Sequence, residues 1–184
     1  MKPTVILGVL CTLLLSPVFA AEEIAFNYMF EGNVRQDFSN IPKGPLRIGE
    51  FSDSRSVDNP NLITASEGGF VTGKALTDIV RDALVQGFIK GKAALVEADA
   101  NLTLQGAILS SEATIVDRDG VESIQLTIRT TVQLRDSGRT LWETILFGRG
   151  IAPVSEGMGQ ALSNAMDRTI SGLMRDDYFL MEVI

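Results

Sequence analysis

The chain has 184 residues, of which 16 are Lys or Arg, 23 are Asp or Glu and none is His. A formal net charge of −7 argues against nucleic-acid binding, which needs a basic surface. Without His, neither a Ser-His-Asp or Cys-His catalytic arrangement nor an imidazole zinc site can form. The composition therefore predicts no cofactor, no metal and no nucleic-acid partner.

The first twenty residues have the pattern of a secretory signal peptide. Lys2 precedes an apolar run over residues 5–15, and small residues lead to Ala20. This run is shorter than the roughly 20 apolar residues that a membrane-spanning helix requires. We therefore predict cleavage after Ala20 and a periplasmic location.

The single cysteine, Cys11, lies inside the apolar run. A lipoprotein has a small residue before its acylated Cys, and Leu10 occupies that position here. Lipidation is not expected, and the mature chain then has no thiol. The predicted division is a signal peptide over residues 1–20, an N-terminal strand and connector over 21–45, and one α+β domain over 46–184.

The N-terminal part of the mature chain alternates apolar and other residues. Ile24, Phe26, Tyr28 and Phe30 share one face, which predicts a strand over residues 24–30. Residues 31–45 contain Gly and Pro and are predicted as a connector before a short strand at 46–51. Residues 53–72 show no periodic pattern, and this length indicates a mobile or functional loop.

Two amphipathic helices are predicted from apolar residues at three- and four-residue spacing. The first follows Thr72 and ends between Gly87 and Gly91. The second is expected to begin after an N-cap at Ser155 and to end near Asp176. Their apolar stripes are Leu76, Ile79, Val80, Ala83, Leu84 and Phe88, and then Met158, Leu162, Ala165, Met166, Ile170 and Leu173.

Between the helices, three alternating strands are predicted near residues 101–108, 124–134 and 141–148. The connections at 117–120 and 136–139 have the residues of tight turns. Residues 117–120 also begin like a calcium loop, but Val121 and Ile128 occupy ligand positions, so a hairpin turn is favoured. The last strand has apolar residues on both faces, and its second face should meet a helix or a partner.

These elements predict an α+β fold. The order is β-α-β-β-β-α with an extra N-terminal strand, and two helices cover one face of a mainly antiparallel sheet in two layers.

No catalytic residues are assigned, and the candidate residues are those that could bind a partner. Asp53 and Arg55 form either a ligand-binding charge pair or a structural salt bridge. Trp142 is either a core residue or an interface anchor. The candidate partner-binding residues are Asp53, Arg55, Asp58, Asn59, Asn61 and Trp142.

Several segments together resemble the YajG family of bacterial envelope lipoproteins. They are Asp53-Ser-Arg55 after a strand, the helix near 76–87, the strand at 100–104, the meander ending in glycines at 148–150, and the last helix through 165–177. The same element order resembles the lipopolysaccharide-assembly lipoprotein LptE and the auxiliary lipoproteins of lipid-transport systems. These resemblances imply a non-catalytic accessory role at the envelope, although the chain lacks their lipobox cysteine.

Three functions are considered on this basis. The leading hypothesis is a periplasmic interaction module that docks onto an envelope protein or assembly through residues 53–72 and the exposed sheet face or edge. The alternative is a carrier of lipid or a small apolar ligand in a pocket between sheet and helices. The third is a secreted enzyme that uses paired carboxylates.

Overall fold

A computed structural model describes residues 21–66 and 68–184, so the signal peptide and Cys11 lie outside the described residues. The part described contains seven strands, three α-helices and a 3-10 turn. The elements are β1 (Glu22–Ile24), β2 (Leu46–Asp53), β3 (Leu62–Ala65), β4 (Phe70–Thr72), α1 (Leu76–Lys90), β5 (Leu102–Arg118), β6 (Val121–Asp136), β7 (Arg139–Pro153), the 3-10 turn (Val154–Glu156), α2 (Gly157–Leu173) and α3 (Asp177–Val183).

The strands form one sheet in the order β1-β4-β3-β5-β6-β7. The β5-β6-β7 meander and the β3-β4 pair are antiparallel, whereas β1-β4, β2-β5 and β3-β5 are parallel. Helix α1 packs on β2, and α2 packs on β6 and β7. The predicted α+β class with a mainly antiparallel sheet is confirmed. We call the face under these helices the inner face and the opposite one the outer face.

Two tight turns connect the strands of the meander. Asp119 and Gly120 have φ values of 54° and 81°, and Ser137 and Gly138 have 46° and 87°. Positive φ at both central residues defines the turn whose twist matches an antiparallel hairpin. The hairpin turns expected at these positions are therefore confirmed.

Helix α2 lies close against β7 because two glycines of the strand face it. A Cβ on Gly148 would stand 2.9 Å from the carbonyl oxygen of Ala165, and one on Gly150 would stand 2.5 Å from the Ala165 nitrogen. Ala161 and Ala165 are one helical turn apart and so lie on the same face of α2. The backbones of helix and strand can approach only because both surfaces carry small residues.

The predicted strand at 24–30 is wrong, because β1 ends at Ile24 and residues 25–45 form no strand. The alternation there reflects packing against helices. Gln86 of α1 accepts a hydrogen bond from the Phe30 nitrogen at 2.8 Å and donates one to the Tyr28 carbonyl at 3.1 Å. The Tyr28 hydroxyl donates to Asp167 of α2 at 2.6 Å. The Gln86 side chain thus hydrogen-bonds backbone groups of Tyr28 and Phe30 that a neighbouring strand would otherwise pair with.

Other boundaries also differ from expectation. Residues 53–72 contain β3 and β4 rather than only a loop. Strand β7 continues to Pro153, so Ser155 lies in the 3-10 turn and Glu156 is the N-cap of α2. A third helix follows, and Asp176 caps it by accepting a hydrogen bond from the Phe179 nitrogen at 2.8 Å. No helix in the described ranges is long and apolar enough to span a membrane.

The close contact of α2 with β7 makes a stability prediction. We expect Gly150→Ala to lower the free energy of unfolding by about 2 kcal/mol, because the added methyl forces helix and strand apart. Gly159→Ala is the matched control, because its Cβ would meet only an ordinary contact at 3.7 Å. It should stabilise the helix by roughly 0.5–1 kcal/mol. Urea unfolding measures both, and an equal effect of the two changes would contradict the packing described.

Candidate functional site

The side chain of Arg55 is 3% exposed and joins three strands. Its Nε and Nη2 donate to the Asp53 carboxylate at 2.8 and 2.5 Å. Its remaining hydrogen bonds run to the Ser111 hydroxyl at 2.6 Å and to the Leu62 and Pro60 carbonyls. We call this group the Arg55 clamp, because it ties the end of β2 to β3 and β5. These contacts favour the structural interpretation of the Asp53–Arg55 pair.

Hydrogen bonds also order the turn before β3. The Asn59 side chain accepts from the Asn61 nitrogen at 2.9 Å, and the Asn61 side chain donates to the Thr72 carbonyl at 2.9 Å. The Thr72 hydroxyl donates to the Asn61 carbonyl at 3.0 Å. Asp58 is exposed at the surface. Partner binding by Asp58, Asn59 and Asn61 stays a prediction, but two of these side chains already hold the turn in place.

Trp142 lies on the inner face of β7 and is 7% exposed. Its indole Nε1 donates to Asp176 at 3.2 Å, and its ring centroid is 5.1 Å from that of Phe179 in α3. These contacts favour the core interpretation, since a buried Trp needs a partner for its N–H group. The structure does not bring Trp142 together with the other candidate residues, which lie at the end of β2 and between β2 and β3.

The β3-β4 hairpin forms a groove with the far end of the β5-β6 hairpin. This distal groove has a volume of about 330 Å³. Ile115, one of its lining residues, is 56% exposed. The groove is lined by Ala65, Ser66, Phe70, Ala113, Thr114, Ile115 and Ile124. Residues 53–72 thus contribute to a surface site, although through different side chains from those expected.

The distal groove was missed by sequence analysis. Its two walls come from segments that are far apart in the chain, and only the parallel pairing of Thr64 with Glu112 and Ala65 with Ala113 joins them. One local signal was present, since apolar side chains such as Ile115 lie close to the polar turn at the tip of a hairpin. Such residues have no core to pack against and indicate an exposed apolar surface.

The charged groups nearby have structural partners. Hydrogen bonds from Arg55 hold the pKa of the Asp53 carboxyl below its usual range. The Asp117 carboxylate accepts a hydrogen bond from the Gly120 nitrogen at 3.0 Å, which closes the turn and favours the hairpin interpretation over a calcium loop. In the ranges 21–66 and 68–184, no three acidic residues cluster in a way that could hold a metal ion.

Comparison with solved structures shows the fold. A protein of the DUF330 family from Xanthomonas campestris has a TM-score of 0.52 and 14% identity, over 83% of this chain and 90% of that one. A PelC dodecamer from Paraburkholderia phytofirmans has a TM-score of 0.41 and 14% identity, with 83% and 95% covered. A minor lipoprotein from Acinetobacter baumannii has a TM-score of 0.40 and 12% identity, with 74% and 96% covered.

No family model and no curated protein matches the chain. At 14% identity, the DUF330 likeness establishes a shared fold and nothing about residues of the site.

The Arg55 clamp predicts a large loss of stability on mutation. Arg55→Met should lower the free energy of unfolding by about 3 kcal/mol, because it removes the buried guanidinium that pairs with the Asp53 carboxylate and donates to the Leu62 carbonyl. Arg118→Met, at the exposed end of β5, is the control and should change it by less than about 0.5 kcal/mol. Urea unfolding of both variants measures this, and a loss no larger than that of the control would rule out the clamp.

The same pair predicts a pH dependence. A carboxyl whose pKa is lowered by folding stabilises the protein fully above its unfolded pKa of about 3.9, and this contribution is lost as pH falls through the folded pKa. The difference in unfolding free energy between the wild type and Asp53→Asn should therefore be constant above about pH 5 and shrink below about pH 4. A difference that does not change between about pH 6 and 3 would contradict the lowered pKa.

Proposed function

We propose that this protein is a non-catalytic accessory module of the bacterial cell envelope that binds a protein partner in the periplasm through the distal groove. The observation that carries the proposal is the groove itself, which has both apolar and polar lining residues and a wall, β3, that is hydrogen-bonded to β5. Export is supported by the signal-peptide pattern of residues 1–20 and by the resemblance of the chain to envelope lipoproteins.

The groove has the composition of an interface centre. Phe70, Ile115 and Ile124 supply apolar area, while Ser66 and Thr114 supply polar groups at its border. Protein interfaces combine an apolar centre with a polar rim, and a few large side chains contribute most of the affinity. A short apolar segment of a partner fits this arrangement better than a charged ligand does.

The groove also has a preorganised wall. The Thr64 hydroxyl donates to the Ser111 carbonyl at 2.5 Å, and the Arg55 clamp holds the start of β3 against the same strand. A surface that is already ordered loses little conformational freedom on binding, which favours affinity. The segment over residues 53–72 is therefore suited to docking because it is fixed to the sheet.

The lipid-carrier alternative requires an apolar cavity between sheet and helices. In the described structure that interface is filled by side chains that are 0% exposed, among them Leu84, Phe88, Leu162, Met166 and Ile170. The distal groove lies outside this interface and is open to solvent along one side. No observation favours a lipid or a carboxylate-dependent reaction over a protein partner.

Crosslinking in intact envelopes tests the proposal. A photoreactive residue at Ser66, inside the groove, should capture one protein partner, whereas the same probe at exposed Lys90 of α1 should not. Mass spectrometry identifies the adducts. Lipid adducts at Ser66 without a protein would overturn the proposal in favour of the carrier, and equal capture at both positions would show that the groove is not the site.

A charge placed in the groove should abolish this capture. We expect Ile115→Glu to lower the yield of the Ser66 crosslink by about tenfold or more, since it puts a carboxylate at an apolar contact. Ile89→Glu is the matched control, because Ile89 is 60% exposed on α1 and lies outside the groove. Undiminished capture by the Ile115 variant, with both proteins folded by circular dichroism, would refute the assignment.

A further inference from the structure

Strand β7 ends the sheet and runs for 15 residues. Along its far side, no strand within the described ranges pairs with it. The Asn164 side chain of α2 donates to the Ile151 carbonyl at 2.8 Å, so the part of this edge before Ile151 is the free part. Such an edge is a template for another strand, and proteins usually protect these edges by shortening, bulging or covering them. Only one register shift interrupts β7, near Trp142, so the edge from residue 143 onward is regular.

The outer face of β7 carries two exposed apolar side chains. Ile145 is 40% exposed and Phe147 is 55% exposed. The buried residues of the inner face are Trp142, Leu146, Gly148 and Gly150, which lie on the side of α2. The Arg129 guanidinium lies 5.6 Å from the centre of the Phe147 ring and covers one side of it. The other side of the ring stays available to a neighbour placed along the edge.

Charges of opposite sign flank these apolar residues. Glu143 precedes them, and its carboxylate accepts a hydrogen bond from the Gln133 amide at 2.8 Å. Arg149 follows them and has no carboxylate within 4.0 Å among the described residues. The outer face of the strand therefore reads acidic, apolar, apolar, basic from residue 143 to residue 149.

This order is complementary to itself when it is read in reverse. If two copies of β7 pair antiparallel about a two-fold axis at Leu146, Glu143 lies opposite Arg149 of the second copy. Ile145 then lies opposite Phe147, and both contacts occur twice because the axis repeats them. Directly opposite side chains on one face of an antiparallel pair are close enough to interact, and opposite charges and aromatic–aliphatic pairs stabilise it.

We propose that β7 pairs antiparallel with β7 of a second copy of this chain about a two-fold axis at Leu146, forming one continuous sheet. The dimer leaves the distal groove free and does not depend on the function proposed for it. A groove of about 370 Å³ between β7 and α2 lies along the same edge, and Ser171 and Gly172 there give the second copy's α2 room to approach.

An acidic extended peptide from another protein is the competing occupant. Arg168 and Arg175 line the groove between β7 and α2 and would attract one. Such a peptide, however, would place negative charge next to Glu143. It also does not explain why the complementary residues of β7 lie at equal distances on either side of Leu146. A second copy instead gives both Glu143 and Arg149 a partner of opposite charge.

Charge exchange tests the dimer. Sedimentation equilibrium of the purified protein should show a dimer, and Glu143→Arg or Arg149→Glu alone should raise its Kd by about tenfold, since each variant places like charges opposite one another at two contacts. The double variant Glu143→Arg/Arg149→Glu exchanges the charges and should restore the dimer. Glu122→Arg, an exposed change near the tip of β6, is the control and should leave the Kd unchanged.

Two results would overturn the proposal. One is a monomer at concentrations up to about 1 mM, where the association free energy would be weaker than roughly −4 kcal/mol. The other is a dimer that the double variant fails to restore although that variant keeps the wild-type melting temperature. A fluorescent polyglutamate peptide that binds the wild type as a monomer, and binds neither the Arg149 variant nor the double variant, would assign the edge to an acidic partner instead.

Discussion

The packing of α2 against β7 is the contact on which the rest of the structure depends. Gly148 and Gly150 leave room for the backbone near Ala161 and Ala165, so the helix can lie directly on the last strand of the meander. A helix at this distance covers the inner face of the sheet and buries Leu162, Met166 and Ile170 completely. It also fixes which side chains of β7 face solvent. Ile145 and Phe147 are therefore on the opposite face, where they are exposed.

On the side of the meander away from β7, β5 has two successive neighbours along its length. Its first half pairs with β2 and its second half with β3, and its register with β6 shifts between Ile108 and Ser110. The Arg55 clamp bridges this change of neighbour with a buried guanidinium. Arg is suited to the position because its planar group offers several donors in a fixed geometry. The β3-β4 hairpin, which forms one wall of the distal groove, is therefore hydrogen-bonded into the sheet.

These two ends carry the two surfaces for which we propose different partners. The distal groove is concave, joins two hairpins and suits a segment of another protein. The β7 edge is straight, carries both charges and suits a copy of itself. Because the two surfaces are separated along the order of strands, the proposed dimer would leave two distal grooves open to a partner. Two linked sites bind a repeated partner more tightly than one does, because the second contact forms within the same complex.

Local periodicity in the sequence was sufficient to predict the three strands of the meander, its two turns, helix α1 and the apolar stripe of α2, because each depends on neighbours close in the chain. It did not predict the full strand lengths, since β5 continues past the predicted 101–108 to Arg118 and β7 past 141–148 to Pro153. It failed at Phe26–Phe30, where the alternating apolar side chains pack on the hydrophobic core without forming a strand. It also failed at β3, β4 and α3, which are too short to show a period. The Arg55 clamp and the distal groove join distant segments. Only the tertiary structure could decide these features, since pairing of β3 with β5 brings their residues together.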